Sequence, residues 1–388
     1  MKPSILIFID YYIPGYKAGG PIQTITNMID AIGDRYTFYI LTKDRDVDDI
    51  APYTGIRHYE WMKIGKAFVR YLSPSEQTLF SFKTIFRENN FQLIYFQSFF
   101  SPYFTILPLT GIFLSNKRTK PVLIAPRGEF ASGALLHKKY KKVLYLFLFK
   151  TIFIHLLHYS FQCSSIDERS DLNRVLGKRI PSFIALDFNS QKHINKSLLT
   201  VSQSRSNSLK IILLSRIDTQ KNIDYAIHIL YKLKIPIIFD IYGNFFDKKY
   251  SKMLLDMAEH SPKNVRVSLK GPVIHQNVLS TMQKYDLFFL PTKNENFGHV
   301  IHEALLAGLP VLISDQTPWH ELETRNAGWE ISLNTPDLFV EALIKFASLT
   351  EKQKLLMRFA ALQYGIDVSN NQKTLHDNIH MFESVLNT

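Results

Sequence analysis

The stretch PTKNENFGHVIHEALLAGLPVLISD, residues 291–315, decides the reading of this chain. Glu295 and Glu303 bracket Asn296, Phe297 and Gly298, where loop gives way to helix, and Gly308 and Pro310 stop that helix ahead of the apolar VLI. A helix N-terminus offers free N–H groups and a positive dipole end to phosphate oxygens. Carboxylates accept hydrogen bonds from sugar hydroxyls. The spacing therefore suits a pocket for a phosphorylated, hydroxyl-rich ligand. It suits two solvated carboxylates at a helix start equally well, and by itself leaves both readings open.

Outward from this stretch, apolar strands alternate with helical patterns. Ser4–Ile9 reads as a strand, and a loop with Gly15, Gly19 and Gly20 follows. Pro21 then opens a helix with Ile22, Ile25, Ile29 and Ile32 on one face, and Gly33 ends it. Thr37–Leu41, Leu93–Phe96 and Val122–Ala125 are further strands. A polar stretch from about Asn189 to Ser208 reads as a linker. The pattern restarts with strands Lys210–Leu214, Ile237–Tyr242, Val265–Leu269, Leu287–Leu290 and Val311–Ser314, and a helix over Asn222–Leu233. The class is α/β, with two doubly wound parallel halves, and ligands in such sheets bind beyond the carboxyl ends of the strands. Two facing halves predict a site in the cleft between them.

At 388 residues the chain can bury two cores, and 46% hydrophobic residues exclude a disordered chain. Cys163 is the only cysteine, so no intramolecular disulfide forms, which fits a reducing compartment. The N-terminal MKPSILIFID is an apolar strand without the length or cleavage site of a signal peptide. No uninterrupted apolar run reaches the length of about 20 residues that a spanning helix needs. Phe91–Leu114 comes nearest and reads as strand, loop and buried helix, with a re-entrant membrane segment as the alternative. Charge is uneven: residues 1–190 carry 24 Lys/Arg against 15 Asp/Glu, and residues 191–388 carry 22 against 19. The first half therefore faces something anionic, or is simply a basic surface.

Three other loops carry chemistry. YIPGYKAGGP, Tyr12–Pro21, lets backbone N–H groups approach a ligand at Gly19 and Gly20, but is not a dinucleotide fingerprint. LSRIDTQKNID, residues 214–224, places Arg216 past a strand end and Lys221 at the next helix, a pair suited to a diphosphate. PRGEFASGALLHKKYKK, residues 126–142, puts Arg127, Gly128 and Glu129 after a strand, with Ser132 able to cap the next helix.

Taken together, LSRID…KN, Gly243 in IYGN, Gly271 in KGPV and ENFGHVIHEALLAGLPVL resemble, in order, the retaining glycosyltransferases of family 4, which have the GT-B fold of two Rossmann-like domains facing across a cleft. The resemblance covers nearly the whole chain and is strongest over residues 210–330. It implies an N-terminal acceptor-side domain (1–190), a linker (191–208), a nucleotide-sugar domain (209–350) and C-terminal helices (351–388), the last crossing back to the first domain. It also implies roles. Arg216 and Lys221 hold the donor diphosphate without a metal or other cofactor. Glu295 touches the donor sugar. Asn296, Phe297 and Gly298 form the backbone turn beside sugar and phosphate, with Gly243 also donor-side. Glu303 reaches the ribose, and Gly19 and Gly20 close over the diphosphate. Where many members carry a histidine near the reacting carbon, this chain has Arg127-Gly128-Glu129, so Arg127 becomes the catalytic candidate and Glu129 an acceptor-side one. His137 reads as an ordinary helix residue. IALDFNS stands where the family commonly has an Asn-Gly turn.

The implied activity is retaining transfer of a sugar from a nucleotide-diphosphate sugar, UDP by preference, to a glycan or polyprenyl-linked acceptor. The implied setting is bacterial surface polysaccharide synthesis: O-antigen, capsule or exopolysaccharide. The alternatives are a non-catalytic nucleotide-sugar-binding protein and a basic nucleic-acid-binding protein. No nucleic-acid recognition motif is present, so nucleic acid is not an expected partner. Lys138, Lys139, Lys141 and Lys142 precede LYLFLFKTIFIHLLH, which suits an interfacial helix on an anionic leaflet as well as a core helix with a solvated basic start. The expected location is cytoplasmic, peripheral on the inner face of the cytoplasmic membrane.

Overall fold

A computed structural model describes residues 2–387 except 89, 115–119, 137–138, 155–157, 189–207 and 246. The linker expected at 191–208 and His137 thus lie outside the described residues, Ser208 apart. The chain divides into two compact units, Met1–Phe188 with Asn371–Thr388, and Asn189–Asn370.

The first unit holds strands β1 (Ser4–Phe8), β2 (Thr37–Lys43), β3 (Met62–Ile64), β4 (Ala67–Leu72), β5 (Leu93–Phe96), β6 (Val122–Ile124), β7 (Tyr159–Cys163) and β8 (Ser182–Ile184). They form one sheet in the order β3-β4-β2-β1-β5-β6-β7-β8. Its helices include α1 (Gly20–Ile32), α2 (Leu79–Glu88), α3 (Leu107–Phe113), α4 (Ser132–Leu136), α5 (Lys139–Leu148) and α6 (Ile166–Leu176). Successive residues of a strand point to opposite faces, so Leu6 and Phe8 enter one core while Ile5 and Ile7 enter the other. Ile22, Ile25, Ile29 and Ile32 bury the inner face of α1 as their spacing predicts. Phe91–Leu114 is strand β5, a loop, a wide helical turn capped by Ser101, and α3 with Leu109 and Ile112 buried. Ser132 is the first residue of α4 itself.

Every pairing in this sheet is parallel except β3 with β4. There Ile64 faces Ala67 across a two-residue turn whose Gly65 has φ 58°. Strands β3, β7 and β8 carry no long apolar run in sequence, and Arg70 interrupts that of β4. β7 even contains Gln162, whose buried amide donates to the Ala185 carbonyl at 2.9 Å and whose oxygen accepts from Tyr95.

The second unit holds β9 (Leu209–Leu214), β10 (Ile237–Tyr242), β11 (Val265–Gly271), β12 (Leu287–Leu290), β13 (Val311–Ser314) and β14 (Gly328–Ile331). The order is β11-β10-β9-β12-β13-β14, all parallel. Its helices include α7 (Ile223–Tyr231), α8 (Lys248–Glu259), α9 (Val278–Met282), α10 (His299–Leu306), α11 (Pro336–Ser348) and α12 (Glu351–Ser369). Numbered within the unit, this order is 3-2-1-4-5-6, whose connections reverse direction between β9 and β12. That switch point opens a crevice beyond the carboxyl ends of the two strands. The last helix, α13 (Gln372–Leu386), belongs to the first unit, where Phe382 meets Tyr36 at 5.4 Å and Tyr95 at 5.7 Å between ring centres.

Candidate functional site

The loops following β9 and β12 are tied together at the switch point of the second unit. The Gln220 carbonyl accepts from Lys293 N–H at 2.8 Å and from Thr292 Oγ1 at 3.1 Å. Next to that bridge, the Lys221 ammonium donates to Glu295 Oε1, with the two side chains only 11% and 15% exposed. Arg216, just past β9, is half exposed and lies 3.5 Å from Asp218. The structure thus brings Lys221 and Glu295 together, with Arg216 at the end of the neighbouring strand β9.

Gly298 makes the turn into α10. It sits in the left-handed region, φ 77° and ψ 56°, and no side chain caps the helix it opens. A left-handed residue here suits glycine, because a Cβ would also come within 2.9 Å of Ile301. Trp319 holds the turn from outside by donating its indole N–H to the Phe297 carbonyl. Glu295 N–H donates to the Gln316 carbonyl at 3.0 Å. Glu303 lies on α10, half buried. The first two N–H groups of α7, by contrast, donate to the Tyr250 hydroxyl at 2.8 and 3.1 Å. The start of α10, in contrast, has no side-chain cap, and its dipole end faces the loops that follow β9 and β12.

Gly243 ends β10 with φ 156°, and a Cβ there would lie 1.7 Å from the Ser215 carbonyl oxygen. Its N–H donates to the Gly271 carbonyl at 2.9 Å, and Ser215 N–H to the Tyr242 carbonyl at 3.0 Å. The two glycines let the ends of β9, β10 and β11 draw together beside Arg216.

The buried face of α10 carries a histidine that the motif contains and to which its sequence gives no role. His302 stacks on Trp319 with ring centres 5.7 Å apart. Its Nε2–H donates to the Gly365 carbonyl at 3.0 Å on α12. Burial pushes its pKa down to about 4 from an ordinary 6.5.

The remaining candidates belong to the first unit. Gly19 precedes α1 with φ 69°, and Gly20 is that helix's first residue. Asp46 fixes their loop by accepting from Tyr16 N–H at 2.8 Å and Lys17 N–H at 3.1 Å. Arg127 and Gly128 both have positive φ, at 53° and 78°. The Arg127 guanidinium is turned inward. It pairs with Asp187, and donates to Gln97 at 2.6 and 3.1 Å and to Tyr95 at 3.2 Å. Burial disfavours its charge, but Asp187, Tyr95 and Glu168 more than offset this and hold its pKa above the ordinary value. Through these bonds Arg127, the catalytic candidate of the sequence, ties the end of β6 to the segment after β8. Glu129 is likewise committed. It accepts from Ser98 Oγ at 2.7 Å, Phe99 N–H at 2.6 Å and Phe100 N–H at 3.1 Å. Burial pushes its pKa up, partly offset by those three donors. Through these bonds it caps the loop after β5.

Sequence comparison places the crevice in a family. Residues 197–361, which carry Arg216, Lys221, Glu295 and Glu303, match the family model described as glycosyl transferases group 1. This segment belongs to the group 1 glycosyltransferases. A relative from Klebsiella pneumoniae, described as an uncharacterized 41.2 kDa protein in the cps region, is 23% identical over 250 residues, 63% of this chain. The match spans 65% of that relative's own length. Among solved structures, Anabaena Alr3699/HepE in complex with UDP and glucose superposes with a TM-score of 0.70 at 13% identity, covering 100% of both chains. WaaG, a glycosyltransferase involved in lipopolysaccharide biosynthesis, superposes with a TM-score of 0.62 at 13% identity, covering 95% of this chain and 96% of its own. The fold is that of the GT-B glycosyltransferases.

Within the group 1 segment, Gln220, Tyr250 and Trp319 support the crevice but carry no local signal of doing so. Each acts on a residue at least 22 positions away, so no local pattern links it to its partner.

Proposed function

We propose that this protein is an enzyme that moves a sugar from a nucleotide-diphosphate sugar, UDP by preference, to a glycan or lipid-linked glycan with retention at the anomeric carbon. The setting is bacterial surface polysaccharide assembly on the inner face of the cytoplasmic membrane. One observation carries the reading: Lys221 and Glu295 pair at the switch point of the second unit, next to the uncapped, glycine-opened start of α10. The UDP and glucose held by the Anabaena neighbour and the cps-region relative support the choice of donor and setting.

In this reading Arg216 and Lys221 meet the diphosphate, and the N-terminal end of α10 adds its partial positive charge. Glu295 accepts from sugar hydroxyls, Asn296, Phe297 and Gly298 line the sugar side, and Glu303 accepts from the ribose. The C1–O bond to phosphate breaks as the acceptor oxygen bonds to C1 on the same face. The acceptor's proton passes to a phosphate oxygen of the departing diphosphate. Negative charge developing there is met by Arg216 and Lys221, which removes the need for a metal. Until donor arrives, Glu295 and Lys221 neutralise one another and so keep both groups aimed at the crevice.

The test is release of nucleoside diphosphate, and transfer, across UDP-, GDP- and ADP-sugars, with Glu295→Gln alongside the unaltered protein. The substitution should cut turnover by about 10²–10³ with an unchanged far-ultraviolet spectrum. Near-normal turnover in Glu295→Gln, or no turnover of any nucleotide sugar by the unaltered protein, refutes the assignment.

A further inference from the structure

Helix α5 presents an apolar face to solvent. Tyr140, Val143, Leu144, Phe147 and Leu148 recur at intervals of three and four residues, which places them on one side of the helix, and they are between 39% and 90% exposed. The opposite side of the same helix is fixed in the core. Tyr145 and Phe149 are buried and meet Phe99 with ring centres 5.1 and 4.8 Å apart. The stripe is thus held rigidly outward, and the first unit has no use for it in its own packing. A contiguous apolar patch rimmed by polar groups marks an interaction surface.

Charge says what covers it. Residues 130–166 contain five lysines and no Asp or Glu. Of these, Lys139, Lys141 and Lys150 are exposed around the stripe. A second copy of this chain meeting its own stripe would set these lysines against each other. Among the described residues no helix is long and apolar enough to cross a membrane, so a bilayer would be met from its surface. We propose that α5 docks the first unit flat on an anionic lipid surface, with Tyr140, Val143, Leu144, Phe147 and Leu148 in the headgroup–acyl boundary and the lysines against acidic headgroups. This deepens the membrane placement proposed above by naming the surface and the lipid. It rests on that placement for its meaning in the cell, while its test needs neither donor nor acceptor.

The full chain is sedimented at low salt with vesicles of phosphatidylcholine alone or mixed with phosphatidylglycerol. It should pellet with the mixed vesicles and stay in solution with phosphatidylcholine alone. Leu144→Ser with Phe147→Ser should lower the bound fraction about tenfold or more with an unchanged melting temperature, since both side chains are already exposed. Lys139→Gln, Lys141→Gln and Lys150→Gln together should abolish the preference for phosphatidylglycerol. Failure to pellet with anionic vesicles, or undiminished pelleting of the serine variant, overturns the proposal. So does a dimer in sedimentation velocity that the serine variant disperses, because the face then belongs to a second copy. Loss of transfer activity with vesicle binding intact would count against the enzyme reading alone.

Discussion

Lys221 and Glu295 stand 74 residues apart in sequence and meet where solvent reaches only the edges of both side chains. A pair so placed acts as a unit, so removing either member should cost nearly what removing both does. Lys221→Ala, Glu295→Gln and the double variant should each reduce transfer, with a coupling of about 1–3 kcal/mol in a double-mutant cycle on kcat/KM. Simple addition of the two losses would dissociate the groups functionally. His302 governs a different property. It is neutral in the folded protein down to about pH 4, whereas in the unfolded chain it takes a proton near its ordinary 6.5. Its contribution to stability is thus complete above about pH 6.5 and is lost as pH falls toward 4, the loss by then amounting to about 3 kcal/mol. Urea unfolding of the second unit between pH 7 and 4.5 should show this slope, and His302→Gln should flatten it. Since His302 stacks on Trp319, and Trp319 holds the Phe297 carbonyl, protonation would also loosen the turn beside Glu295.

At the scale of elements, the crevice depends on strand ends and helix starts that glycine alone permits. At Gly243 the obstacle is the Ser215 carbonyl, part of the β9 backbone, which cannot swing aside as a side chain would. Gly243→Ala should destabilise the second unit by about 3 kcal/mol or more, read by denaturant unfolding, because β9 and β10 must separate to admit the methyl group. At Gly298 the nearest atom is the flexible end of Ile301, and the strain is chiefly the left-handed backbone. Gly298→Ala should therefore cost only about 1–2 kcal/mol of stability, yet weaken UDP binding in a thermal-shift assay by tilting the start of α10. Equal stability losses in the two variants would contradict the distinction drawn between backbone and side-chain neighbours.

Over the whole molecule, chain order and spatial order part company at the C-terminus. Met381, Phe382 and Val385 of α13 are buried in a core otherwise built from the first 188 residues. Phe382→Ala should therefore destabilise the first unit by about 3–5 kcal/mol and leave the second unit's unfolding transition in place, as followed by hydrogen exchange. Much of this architecture was legible beforehand. Leu93–Phe96, Leu287–Leu290 and Val311–Ser314 are short, largely apolar runs, as strands buried on both faces must be, and their bounds, like those of Ile237–Tyr242 despite its Asp240, were readable residue for residue. Met62–Leu72, Tyr159–Cys163, Ser182–Ile184 and Gly328–Ile331 were not, because the strand is short, as at Met62–Ile64, Ser182–Ile184 and Gly328–Ile331, or is interrupted by a charged or polar residue, as by Arg70 and Gln162. Of the candidate site, the residue types at the strand ends were plain, but their partners were not. Arg127 illustrates the limit: its position after β6 suggested a face toward substrate, and Asp187, 60 residues on, turns it inward. The sequence by itself determined the central apolar strands, the glycine turns and the charges that follow them, since these rest on local periodicity and backbone freedom. Only the tertiary structure decided that Lys221 faces Glu295 and Arg127 faces Asp187, because which charge meets which depends on strand order and on connections that cross the sheet.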